Sequence, residues 1–92
     1  MSDSAVTRNL VVGNRAGIHA RAAVMIATAA RRFDAKVLIG KGLQQVEATD
    51  VLQLLSLGAG QGEQVSVEVS GNQAQQAAEA MEQLFDRKFD ED

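Results

Sequence analysis

The chain has 92 residues, a formal net charge of −3 at pH 7, one histidine, no cysteine and no proline. That length suits a single domain spanning residues 1–92 with a modest core, and the missing thiols remove disulfides, thiolate metal sites and cysteine nucleophiles together. The acidic balance argues against nucleic acid, one histidine argues against a transition-metal cage, and no apolar run is long enough to cross a bilayer.

Ala5 to Val12 is rich in β-formers with rough alternation and predicts a first strand. Gly13-Asn14-Arg15-Ala16-Gly17 reads as a loop. From Ala20 to Phe33, Ala23, Ile26, Ala27, Ala30 and Phe33 fall at helical spacing, with Arg31 and Arg32 in the last turn, where cations suit the helix dipole. Ala35, Val37 and Ile39 alternate with polar residues and predict a second strand closing at Gly40-Lys41-Gly42. Leu43 to Ala48 follows as a third. Thr49 is the candidate N-cap of a short helix with Asp50 in its first turn, running to about Leu57 and stopped at Gly58. The glycine cluster of residues 58–62 lacks the lysine and hydroxyl of a phosphate-cradling loop and reads as a turn. Val65, Val67 and Val69 alternate cleanly in a fourth strand. Asn72 is then the candidate cap of a last helix with Ala77, Ala80, Met81 and Leu84 inward, closed by Phe85 or Phe89. Residues 1–4 and 90–92 are expected to be flexible ends, and Phe89-Asp90-Glu91-Asp92 a solvated acidic tail. Met1-Ser2-Asp3-Ser4 is not a basic and apolar leader, so the expected location is the cytoplasm. The order βαββαβα, with one strongly apolar face per strand, predicts an α+β fold: a four-stranded antiparallel sheet with three helices on one face.

Gly17-Ile18-His19-Ala20-Arg21 carries the chemistry. Imidazole is the one side chain whose ordinary protonation change lies near neutrality, and His19 stands where a loop enters a helix. Unpaired N–H groups and the positive end of the helix dipole there favour an anion and disfavour imidazolium. A neutral ring nitrogen can attack phosphorus, and the phosphoryl group would then sit in an anion site made by the backbone of Ala20 and Arg21. Arg21 adds a forked cation suited to phosphate oxygens.

These residues, the order of elements, and the segment from Glu47 to Gly58 resemble the HPr family of histidine phosphocarrier proteins, over nearly the whole chain from Val6 to about Phe89. The resemblance implies an HPr-like open-faced sandwich without metal or cofactor. It also implies a bacterial phosphotransferase-system role: His19 accepts a phosphoryl group on its pros nitrogen, Nδ1, from phosphoenolpyruvate by way of Enzyme I. His19 then passes the group to an EIIA-type protein, and Arg21 assists. The family is a carrier, not an independent catalyst, and a monomer is expected. Ala20, Val24, Val51, Leu52 and Leu55 match the family's docking patch; by pattern alone Val24 and Leu55 serve equally as core. Ala22 stands where most members have proline, and alanine keeps the helix. Asp50 replaces the serine that a regulatory kinase modifies in some members. It reads as a helix-stabilising first-turn acid or as a partial imitation of phosphoserine. The acidic end is similar to tails of NPr-type members. A regulatory binding module of the Crh-like kind is the alternative function, but such proteins lack the histidine and keep the serine, the reverse of this chain.

Overall fold

A computed structural model describes residues 5–91. Strand β1 (Val6–Val11) leads to helix α1 (Ala20–Ala30), strands β2 (Lys36–Lys41) and β3 (Gln44–Glu47), helix α2 (Val51–Ser56), strand β4 (Gln64–Ser70) and helix α3 (Ala74–Asp86). The sheet runs β1-β4-β2-β3 with every neighbouring pair antiparallel, so the expected α+β open-faced sandwich is what the chain forms. Four of the residues expected to be flexible, 1–4, and Asp92 lie outside the described residues.

Central strand β4 explains why the sheet has one apolar face. Val67 pairs with Arg8 on one side and Ile39 on the other, and Val69 with Val6 and Val37. Val65, Val67, Val69, Val37, Ile39 and Val46 are buried together on the helix side, each such burial contributing about 1.5–3 kcal/mol. The opposite face stays polar, with Gln45 Nε2 donating to Glu68 Oε1 at 3.2 Å. Helix α3 lies against β1 and β4, and α1 packs between α2 and α3. Alanines line the buried helical faces (Ala22, Ala23, Ala27 and Ala30 on α1, Ala77 and Ala78 on α3) and fill a core that has few aromatics.

Several element ends differ from the sequence-based expectation, each for a tertiary reason. Helix α1 stops at Ala30, so Arg31 and Arg32 lie beyond its last turn, and Arg31 Nη2 donates to the Thr49 carbonyl at 2.7 Å. Asp50, not Thr49, is the N-cap of α2, its Oδ1 accepting from the Gln53 N–H at 3.1 Å. Asn72 does not cap α3. Its side-chain amide donates to Asp34 Oδ2 at 2.8 Å, while Gln73 Oε1 accepts from the Asp34 N–H at 2.7 Å. This clamp ties the α3 entrance to the turn before β2. Ala80 is half-buried and Ala78 takes its place inside.

Candidate functional site

The loop between β1 and α1 is shaped by Gly17. Its φ of +70° lies in the left-handed region, and a Cβ there would stand 2.6 Å from the Ala59 carbonyl oxygen. The close approach lets the Ile18 N–H donate to Ala59 O at 2.9 Å, pinning the loop onto the α2–β4 connection. Ile18 is buried and ends the loop, so His19 falls at the N-cap position of α1 in extended conformation. The imidazole makes no capping hydrogen bond, which leaves the ring available. The first turn behaves as its position requires: His19 O accepts from Ala23 N–H at 2.8 Å, while Ala20 and Arg21 N–H have no partner among the described residues. Arg21 is exposed on this first turn and makes no ion pair among the described residues.

Phe89 and Glu91 do not belong to a solvated tail. Lys88, Phe89 and Asp90 take φ values of 55°, 54° and 59°, a run of three left-handed non-glycine residues. That conformation turns the chain back and buries Phe89 completely, its ring edge-on to Phe85 with centroids 4.9 Å apart. Glu91 is thereby carried over the loop. His19 Nε2 lies 2.9 Å from both Glu91 oxygens, and Asn14 Nδ2 donates to Glu91 Oε1 at 2.8 Å and to Gly17 O at 2.7 Å. Asn14 is fully buried. Both groups beside its Nδ2 are acceptors, so the amide must turn its donor toward them, and its Oδ1 has no partner among the described residues.

Hydrogen bonds from Asn14 and then from His19, with Arg21 nearby, hold the Glu91 carboxyl below the usual glutamate range against the opposing effect of burial. An ionised carboxylate only accepts, so Nε2 carries a proton, and whenever the ring is neutral its lone pair lies on Nδ1. No hydrogen bond engages Nδ1 among the described residues, and the imidazole side chain is 36% exposed. The site therefore offers a nucleophilic nitrogen, an exposed guanidinium and two unpaired backbone donors within one turn. His19 and Arg21 are candidates that the local sequence shows, whereas Asn14 and Glu91 come to the site only through the fold. Phe89, an apolar residue four positions after Phe85, was the available hint.

Around the site, Ala20 is exposed, Val24 is 51% exposed and Leu52 78% exposed. Val51 and Leu55 are half-buried against the core. Helices α1 and α2 pack on each other, so these residues lie on two adjoining elements, with Ala20 next to His19 in the chain. Asp50 caps the start of α2, its carboxylate accepting from the Gln53 N–H. Among the described residues, no cluster could hold a metal ion and no helix is long and apolar enough to cross a membrane.

The sequence model of the family described as the PTS HPr component phosphorylation site matches residues 6–87. The chain belongs to the HPr family. It is similar to the phosphocarrier protein HPr of Treponema pallidum (strain Nichols), 37% identical over 87 residues, covering 95% of this chain and 99% of that protein. The phosphocarrier protein NPr of Shewanella violacea is 39% identical over 84 residues, covering 91% of this chain and 92% of that one. Among solved structures, HPr-C-His from Thermoanaerobacter tengcongensis matches with a TM-score of 0.91 at 28% identity, covering 95% of this chain and 98% of that one. As an HPr-family member the chain is a phosphocarrier of the phosphotransferase system, a carrier rather than a catalyst.

Proposed function

We propose that His19 accepts a phosphoryl group on Nδ1 from phosphorylated Enzyme I, ultimately from phosphoenolpyruvate, and passes it to an EIIA-type acceptor. The observation that carries this reading is the state of the ring: Nε2 is occupied by Glu91 while Nδ1 is unengaged at the entrance of α1. The incoming phosphoryl oxygens meet the unpaired Ala20 and Arg21 N–H groups, and the Arg21 guanidinium balances their charge. Preorganised donors of this kind act mainly by holding charge where it develops, without covalent work by the protein. An exposed, shallow site keeps the phosphoramidate transferable, because neither partner has to be displaced from a deep pocket.

Docking falls to the apolar residues of α1 and α2: Ala20, Val24 and Leu52 exposed, Val51 and Leu55 half-buried against the core. A patch this small suits short-lived complexes, as a carrier that serves two partners requires. All the site residues come from one chain, so a monomer suffices, and the work is assigned to the cytoplasm. Incubation with phosphoenolpyruvate and a matched Enzyme I should place one acid-labile, base-stable phosphoryl group on the protein. The His19→Ala variant should take none; label on that variant would defeat the assignment.

A further inference from the structure

The geometry points to Glu91 as a positioning residue for phosphoryl transfer, delivered by the Lys88–Asp90 turn, that keeps the Nε2 proton of His19 in place throughout the reaction. This rests on the phosphocarrier reading above and goes beyond it. Before transfer, the carboxylate selects the tautomer with hydrogen on Nε2 and a lone pair on Nδ1. That lone pair forms the bond to phosphorus while the donor's bond to phosphorus breaks, its electron pair staying with the donor. The ring, now bonded at Nδ1 and protonated at Nε2, carries a positive charge facing the Glu91 oxygens, 2.9 Å away. When the group moves on, the Nδ1–phosphorus electron pair returns to the ring, which leaves as a neutral imidazole. No proton is gained or lost in either direction. A ring stripped of the Nε2 proton would be a poorer leaving group, so the same contact that exposes the nucleophile also keeps the phosphoryl group transferable.

Three further observations support a built contact. Buried Asn14 holds Glu91 Oε1 while bonding Gly17 O, so the carboxylate is tied to the loop that sets His19. Left-handed backbone at three successive non-glycine residues is unfavourable, and the conformation persists because Phe89 is anchored in the core. Depression of the Glu91 carboxyl by Asn14, His19 and Arg21 keeps it ionised near neutrality, as the role requires. The charged group against the ring is Glu91, whose carboxylate also feels the Arg21 guanidinium, and His19 itself stands at the N-cap position of α1. The carboxylate approaches Nε2, which leaves Nδ1 for the phosphoryl group.

The test combines a measurement without partners and one with them. In ¹⁵N-labelled protein above the imidazole titration, wild type should show a pyrrole-type Nε2 and a pyridine-type Nδ1. In Glu91→Ala the two shifts should move toward each other as the tautomers mix. Rapid-quench transfer from phosphorylated Enzyme I should then be about tenfold slower in Glu91→Ala, the loss expected for one charge-assisted hydrogen bond that strengthens along the reaction. The concentration dependence should stay unchanged, since the docking residues are untouched. Glu91→Gln, which keeps an acceptor without the charge, should hold the tautomer and still transfer more slowly than wild type. Identical ¹⁵N shifts in wild type and Glu91→Ala, or equal transfer rates with normal wild-type activity, would overturn the role of Glu91 alone. Failure of the wild type to accept any phosphoryl group would instead overturn the phosphocarrier reading.

Discussion

Phe89→Ala separates an anchored strap from a solvated tail. Burying an aromatic side chain removes roughly 200 Å² from water, which at ~25 cal/mol per Å² stabilises by about 5 kcal/mol. Left-handed backbone at Lys88, Phe89 and Asp90 returns about 1 kcal/mol each. The segment is therefore held by about 2 kcal/mol. Because this ring is what anchors the segment in the core, its truncation should let the segment detach without leaving a sealed cavity. The loss should then stop near that value and fall short of the ~3–5 kcal/mol typical of an internal phenylalanine. For a domain of this size that is a fall in Tm of roughly 10 °C. Urea melts give the free energy, and amide exchange at residues 87–91 gives the local opening. A loss under about 0.5 kcal/mol, the range of ordinary surface changes, would show that Phe89 anchors nothing. A loss above about 4 kcal/mol would show that the strap is inseparable from the core.

Leu52→Glu should weaken binding to Enzyme I in titration calorimetry while stability stays within about 0.5 kcal/mol, because the side chain is 78% exposed; unchanged binding would remove Leu52 from the docking patch. Asp50→Ala should cost about 1 kcal/mol through loss of the bond to the Gln53 N–H, with Asp50→Ser close to wild type, as serine caps equally well. Because the carboxylate is engaged in that cap, Asp50→Ser should accept phosphoryl groups at the wild-type rate even at low salt; faster acceptance would mean that Asp50 imitates phosphoserine. Glu91 has its carboxyl depressed in the folded state, so its stabilising contribution is complete above the ordinary glutamate range and is lost as pH falls through the lowered value. The stability gap between wild type and Glu91→Gln should therefore be full at neutral pH and close in acid; a gap that widens in acid would reverse the sign.

What the sequence made legible was local. The alternation of Val65, Val67 and Val69 is a two-residue pattern that only a strand with one covered face satisfies, and the structure buries all three. His19 and Arg21 sit on one helix entrance, so their proximity needed no knowledge of the fold. The misplaced caps were decided by partners far along the chain. Thr49 and Asp50 are both capping residues, and Arg31, 18 positions away, takes the Thr49 carbonyl. Asn72 is claimed by Asp34, 38 positions away. The same distance hid the acidic contact. Glu91 lies 72 residues from His19, and four residues rich in aspartate and glutamate read by composition as a solvated end. Only Phe89, four residues after Phe85 and eight after Met81, signalled that the chain turned back into the core.

The central claim is chemical: the phosphoryl group resides on Nδ1 of His19. Its direct test is ³¹P and ¹⁵N NMR of protein labelled with ¹⁵N in its single histidine and phosphorylated with phosphoenolpyruvate and Enzyme I. The account predicts one phosphorus resonance coupled to Nδ1, with Nε2 still carrying its proton. Phosphorus coupled to Nε2, or attached to any residue other than His19, would contradict it.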